Sequence, residues 1–78
     1  MTAPTLTAAQ VRADVAELLQ SDPSSITLDD NLFDLGLDSV RVMTLIERWR
    51  TAGAAVEFPD LAEQPELGHW HALLGLAE

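Results

Sequence analysis

The sequence predicts an all-α protein: a small four-helix bundle, with three main helices, a short third one, and a long loop between the first two. Three observations carry that expectation. Apolar residues recur at helical spacing in three stretches, and turn-forming residues separate those stretches. No run alternates with the period of two that marks a half-buried strand. Seventy-eight residues make one domain, near the size at which a single core only just suffices. The chain is therefore expected to be one unit over 1–78, with a folded core at about 6–76. A hydrophobic content of 47% excludes a disordered acidic tail.

Residues 1–6 are expected to form a loose lead-in. Thr7-Ala8-Ala9-Gln10 has the pattern of a capping box, with Leu6 and Val11 spaced for a hydrophobic staple. Val11, Val15, Leu18 and Leu19 then share one stripe of a first helix, which Ser21-Asp22-Pro23-Ser24 ends. Ile26, Leu28, Leu32, Phe33, Leu35 and Leu37 follow neither the helical nor the strand period. They read as a long loop that drops apolar anchors onto the helices, and a loop of this length is uncommon without a function.

Residues 39–52 run without Gly or Pro and then meet Gly53, which suits a helix stop. Val42, Leu45, Ile46 and Trp49 form the core stripe of this second helix. Val40 lies nearly opposite that stripe, and Met43 lies at its edge on the side of Ser39. Residues 54–59 read as a connection and 60–63 as a turn or so of helix. Gln64-Pro65 opens the last helix, with Pro65 tolerated at its first position and Leu67, Trp70, Leu73 and Leu74 facing inward. His69 and His71 stand roughly 200° apart on a helix, so they cannot share a metal. Both are expected at the surface or its flank.

Charge narrows the possible partners. A net charge of −9 argues against unaided binding to nucleic acid or an anionic membrane. Residues 21–38 hold five aspartates and no basic residue, which reads as a solvated loop. The second helix is locally basic, with Arg41, Arg48 and Arg50 against Glu47. No cysteine is present, so any thiol chemistry must come from an added group. With no membrane-length apolar run and no signal-peptide pattern at the start, the chain is expected to be soluble and cytoplasmic.

Asp38 and Ser39 stand at the seam between the acidic loop and the second helix. Asp38 is a good N-cap, since its carboxylate can accept from the first-turn amides. Ser39 is then the first helical residue, and a phosphate esterified there lies where amides and helix dipole favour an anion. The run Phe33-x-x-Gly36-x-Asp38-Ser39, followed by an amphipathic helix, resembles the attachment site of the acyl, peptidyl and aryl carrier proteins. That resemblance implies that Ser39 is esterified by 4′-phosphopantetheine, taken from coenzyme A by a phosphopantetheinyl transferase. It also implies a small helical bundle that is not itself an enzyme.

The pattern Asp38-Ser39-Val40-Arg41-Val42-Met43 leading to Glu47-Arg48-Trp49-Arg50 is similar to the aryl carriers of nonribosomal peptide assembly. So is Phe58-x-x-Leu61-Ala62-x-x-Pro65 with Trp70 and Leu73-Leu74. The likeness spans about residues 26–76, with His71 where those carriers often have a second tryptophan. It implies a monomer that meets an adenylation enzyme and a downstream condensation domain. Val40, Met43, Phe58 and Ala62 are the expected partner-binding patch. Fatty-acid carriers, by contrast, typically have an acidic helix after the serine.

An acyl carrier of polyketide or fatty-acid type remains an alternative, as does an unmodified interaction bundle. A serine hydrolase is disfavoured. Its base would have to come from His69 or His71 on another helix, and the sequence lacks a glycine-rich elbow around Ser39. The sequence leaves open the acid carried, and whether the chain is free-standing or a piece of a larger synthetase.

Overall fold

The computed structural model describes residues 6–76, so the lead-in over 1–5 lies outside the described residues. Thr7 opens the first helix, α1 (Ala8–Leu19): its Oγ1 accepts the Gln10 amide at 3.0 Å. The capping box expected here takes a different form. Gln10 turns along the helix and donates from Nε2 to Asp14 Oδ1 at 2.9 Å, because a carboxylate one turn ahead lies on the same face. Val11 and Val15 are fully buried, Leu18 and Leu19 partly so. Gln20 ends α1 in the left-handed region (φ 55°), its amide directed to the Ala16 and Glu17 carbonyls.

The long connection has structure of its own. A 3-10 turn at Pro23–Ser25 is capped by Asp22, whose Oδ1 accepts the Ser24 amide at 2.8 Å and the Ser24 hydroxyl at 2.7 Å. Ile26, Leu32 and Leu37 are buried as anchors and Leu28 partly so, but Phe33 and Leu35 stay exposed. The cause is a run of tight turns. Asn31 Oδ1 accepts the amides of Phe33 (2.9 Å) and Asp34 (3.2 Å), and the Leu35 and Leu37 amides both donate to the Leu32 carbonyl at 3.1 Å. That winding sends Leu32 and Leu37 inward and leaves the residues between them outside.

Two backbone bonds fasten this loop to the far end of the chain: Leu32 N–H to the Pro65 carbonyl (2.8 Å) and Gly68 N–H to the Leu28 carbonyl (3.1 Å). A Cβ at Gly68 would lie 3.4 Å from the Leu28 oxygen, an ordinary van der Waals contact, so loop and helix meet closely here without requiring glycine.

The second helix, α2 (Ser39–Thr51), buries Val42, Leu45, Ile46 and Trp49, the stripe read from the sequence. Ala52 caps it, and Gly53 follows in a positive-φ conformation (φ 103°), the stop expected there. The third, α3 (Phe58–Ala62), begins two residues before the expected start, with Asp60 Oδ2 accepting the Glu57 amide at 3.0 Å. Pro59 lies inside its first turn, where the missing N–H costs nothing, so this proline does not mark the end of the connection. The last helix, α4 (Leu67–Leu74), is preceded by Glu66 as N-cap. Pro65 therefore stands just outside the helix rather than at its first position.

The inner face of α4 departs from expectation at two positions. His71 is only 4% exposed, whereas Leu73 is 44% exposed. At about 100° per residue, Leu67, Trp70, His71 and Leu74 fit within an arc of about 100°, and Leu73 falls about 60° outside it. Helical phase overrides side-chain polarity here. His69 is half-buried, on the flank as expected.

Trp49 and Trp70 meet edge-to-face at the centre of the core, their ring centroids 5.9 Å apart and planes at 72°. Each indole N–H finds an acceptor: Trp70 Nε1 donates to the Leu61 carbonyl at 3.0 Å and Trp49 Nε1 to Asp14 Oδ2 at 2.9 Å. Among the described residues the structure is all-α with four helices and no strand, as the sequence predicts.

Candidate functional site

The junction at Ser39 is built from the loop side first. The turn that closes at Leu37 needs φ 117° at Gly36, a conformation that residues with a Cβ rarely adopt. The chain then extends through Asp38 (φ −130°, ψ 177°) and turns helical at Ser39. Both oxygens of the Asp38 carboxylate are engaged. Oδ1 accepts the Arg41 amide at 2.9 Å, the expected cap, and Oδ2 pairs with Arg41 Nη1, also at 2.9 Å. The same Nη1 lies 3.4 Å from the Gly36 carbonyl, so one guanidinium bridges loop and helix. The Asp38 carbonyl accepts the first α-helical bond, from Val42, at 2.9 Å.

Ser39 is exposed in the first helical position, with no acidic residue in the first turn of α2. The leading amides of a helix have no intrahelical acceptor, and with the dipole they favour an anion at this place. Of the residues expected to meet partners, Val40 is 73% exposed and Met43 48%, on the side of α2 away from the core. Phe58 is half-buried against the core and Ala62 half-buried, both on α3, which packs on α2.

The basic character read from α2 is mostly offset within the fold. Arg48 Nη1 reaches Glu17 Oε1 at 2.7 Å and Asp14 Oδ1 at 3.0 Å, both on α1. The Glu17 hydrogen bond first, then that of Asp14, holds the Arg48 guanidinium above its ordinary pKa. Arg41 is paired with Asp38. The local excess of arginine is thus a structural brace more than an open basic face. Sequence reasoning missed its centre, Asp14, which is only 4% exposed. A polar residue between Val11 and Val15 gave the one available signal.

His71 lies in the inner face of α4, while Ser39 faces solvent at the start of α2. Among the described residues no group of three or more His, Asp or Glu side chains is gathered to hold a metal ion. No helix among them is long and apolar enough to cross a membrane.

The described residues form a small helical bundle with an exposed serine at the start of α2 and the neighbouring carboxylate tied back by Arg41. The family model described as the phosphopantetheine attachment site matches residues 9–74, and the chain belongs to that family. Its prosthetic group is 4′-phosphopantetheine, covalently attached, and the carrier domains of this family are not catalytic in themselves.

The chain is 52% identical over 68 residues to isochorismatase of Bacillus subtilis (strain 168), covering 87% of this chain and 22% of that protein. It is 49% identical over 63 residues to acyl carrier protein ScoB of Streptomyces coeruleorubidus, covering 81% of this chain and 74% of ScoB. To phenyloxazoline synthase MbtB of Mycolicibacterium paratuberculosis (strain ATCC BAA-968 / K-10) it is 47% identical over 64 residues, covering 82% of this chain and 6% of that protein. No solved structure gives a significant match. The resemblance to aryl and peptidyl carriers is borne out.

Proposed function

We propose that Ser39 is the attachment point of the phosphopantetheine arm, and that the chain is a single carrier unit for an activated aryl or aminoacyl group. The observation that carries this reading is the exposed Ser39 hydroxyl at the first position of α2, beside an Asp38 whose two oxygens are both held by Arg41. The residues fit the group: the hydroxyl is accessible, and the helix start favours a phosphodiester. When bound, the arm supplies the thiol that a chain without cysteine lacks, and that thiol holds the acid as a thioester. Ser39 would provide the covalent anchor, at a helix start whose leading amides favour an anion. Asp38 keeps the helix start rigid.

The partners of this reading are a phosphopantetheinyl transferase, an adenylation enzyme and a downstream condensation domain. They meet the carrier, a cytoplasmic monomer, in turn at a patch of Val40, Met43, Phe58 and Ala62. Nucleic acid and membrane have no part in it. The aryl preference draws on the Glu47-Arg48-Trp49-Arg50 pattern and on the similarity to a phenyloxazoline synthase. A second reading, an acyl carrier of polyketide or fatty-acid type, is favoured by the 49% identity to acyl carrier protein ScoB. Loading of the holo form by aryl- and amino-acid-activating adenylation enzymes, set against a malonyl transferase, separates the two. Charging by the first group supports the aryl or aminoacyl carrier, whereas efficient malonyl loading alone moves the chain to the acyl carriers.

A further inference from the structure

We propose that Arg41 is a positioning residue for the prosthetic group: its guanidinium clamps Asp38 and the phosphodiester on Ser39 together. The inference rests on Ser39 being the attachment point. Esterification there adds a negative charge directly beside the Asp38 carboxylate, in a chain that already carries −9. Two anions on adjacent residues at one helix start repel each other, and the helix dipole favours both without separating them. A cation close to both relieves that repulsion.

The chain has four cationic side chains to supply it, all arginines. Arg48 is held across the bundle by Glu17 and Asp14 of α1. Arg50 lies in the last turn of α2, about 16 Å along the axis from Ser39 at 1.5 Å per residue. Arg12 belongs to the middle of α1. Arg41 alone shares the first turn of α2 with Ser39, and its Nη1 stands 2.9 Å from an oxygen of the residue next to it.

The geometry leaves room for a second anion. Both contacts of the Arg41 side chain, to Asp38 Oδ2 and to the Gly36 carbonyl, are made by Nη1, whereas a guanidinium carries five N–H donors in a planar fork. Its side chain is 44% exposed and that of Asp38 54%, so solvent and the incoming phosphate both reach the pair. An exposed pair of this kind adds little to stability by itself. Its role in the apo form is to hold the guanidinium at the place where the diester arrives. The helix cap does not depend on it, because Asp38 Oδ1 accepts the Arg41 backbone amide whatever the side chain.

The test compares apo and holo forms of the full chain, wild type and Arg41→Gln, with loading confirmed by intact mass. Glutamine keeps the backbone cap and has a helix propensity close to that of arginine. In the wild type, holo conversion leaves the melting temperature unchanged or raises it. In Arg41→Gln at low ionic strength, the same conversion lowers it by roughly 2–6 °C. At about 1 M salt, where the screening length is about 3 Å, the difference between the two proteins shrinks to near zero.

Side-chain NMR gives a second readout on the unmutated chain. The Arg41 guanidinium resonances shift on pantetheinylation, and those of Arg50, the internal control, do not. Equal apo-to-holo melting shifts in fully loaded wild type and Arg41→Gln, or an unmoved Arg41 guanidinium, overturns the proposal. A wild type that gains no mass overturns instead the assignment of Ser39 on which it rests.

Discussion

Asp14 gathers three donors from two helices. Gln10 Nε2, Arg48 Nη1 and the buried Trp49 Nε1 all reach its carboxylate within 3.0 Å. Asp14→Ala leaves the indole N–H without its acceptor in a dry core, while the half-exposed Arg48 can return to water and to Glu17. The expected loss is about 2–4 kcal/mol by urea unfolding, set by the stranded indole and the lost charged hydrogen bonds. Asp14→Asn keeps an acceptor for Trp49 and should lose only about half as much. Equal losses in the two variants would mean that charge, not the acceptor, is what the core needs. Neither Asp14 nor His71 was legible as buried, because polarity alone assigns both to the surface. Phase is the better guide: Asp14 follows Val11 by one turn, and His71 follows Leu67 by one turn.

At the scale of elements, α2 was the most legible part of the chain. Thirteen residues without Gly or Pro, an Asp cap and an unbroken stripe at Val42, Leu45, Ile46 and Trp49 all indicate the same helix. The short α3 was less so, since Pro59 reads as a breaker unless its place in the first turn is considered. The partner-facing role proposed for it and for α2 is open to a direct test. Met43→Asp alters a half-exposed side chain and should change stability by under about 1 kcal/mol. Met43→Asp and Ala62→Asp should both be pantetheinylated normally but pass cargo at least several-fold more slowly to the condensing partner. Loss of folding would make these positions core, and unchanged transfer would remove them from the interface.

The loop before α2 carries a pH signal of its own. Asp22 is held below the ordinary carboxylate value of 3.8, first by the Ser24 hydroxyl and then by the Ser24 amide. A lowered folded-state pKa means its contribution is complete above the unfolded value and is lost as pH falls through the folded one. The Ser24 amide resonance should therefore titrate with a midpoint below 3.8. A midpoint at or above that value would mean that Asp22 does not cap the 3-10 turn.

The whole molecule depends on two tryptophans packed edge-to-face and fully buried. Trp49→Ala or Trp70→Ala should each cost about 3–5 kcal/mol, a large part of the roughly 5–15 kcal/mol that holds a domain folded. Melting temperatures unchanged in both variants would refute their central place. This core was legible because both tryptophans fall on helical stripes. How the loop fastens to α4 was not, because the bonds from Leu32 to Pro65 and from Gly68 to Leu28 are backbone contacts that side-chain patterns do not encode. At the site, Asp38 and Ser39 were legible from motif and capping chemistry, whereas the Arg41 side-chain bridge needed the geometry.

The most direct measurement is intact mass after incubating the chain with coenzyme A and a broad-specificity phosphopantetheinyl transferase. The wild type should gain one phosphopantetheine arm. Ser39→Ala should gain nothing while keeping the same helical circular dichroism, since Asp38 still caps α2. An arm on the alanine variant, or none on a folded wild type, would contradict Ser39 as the residue through which this carrier works.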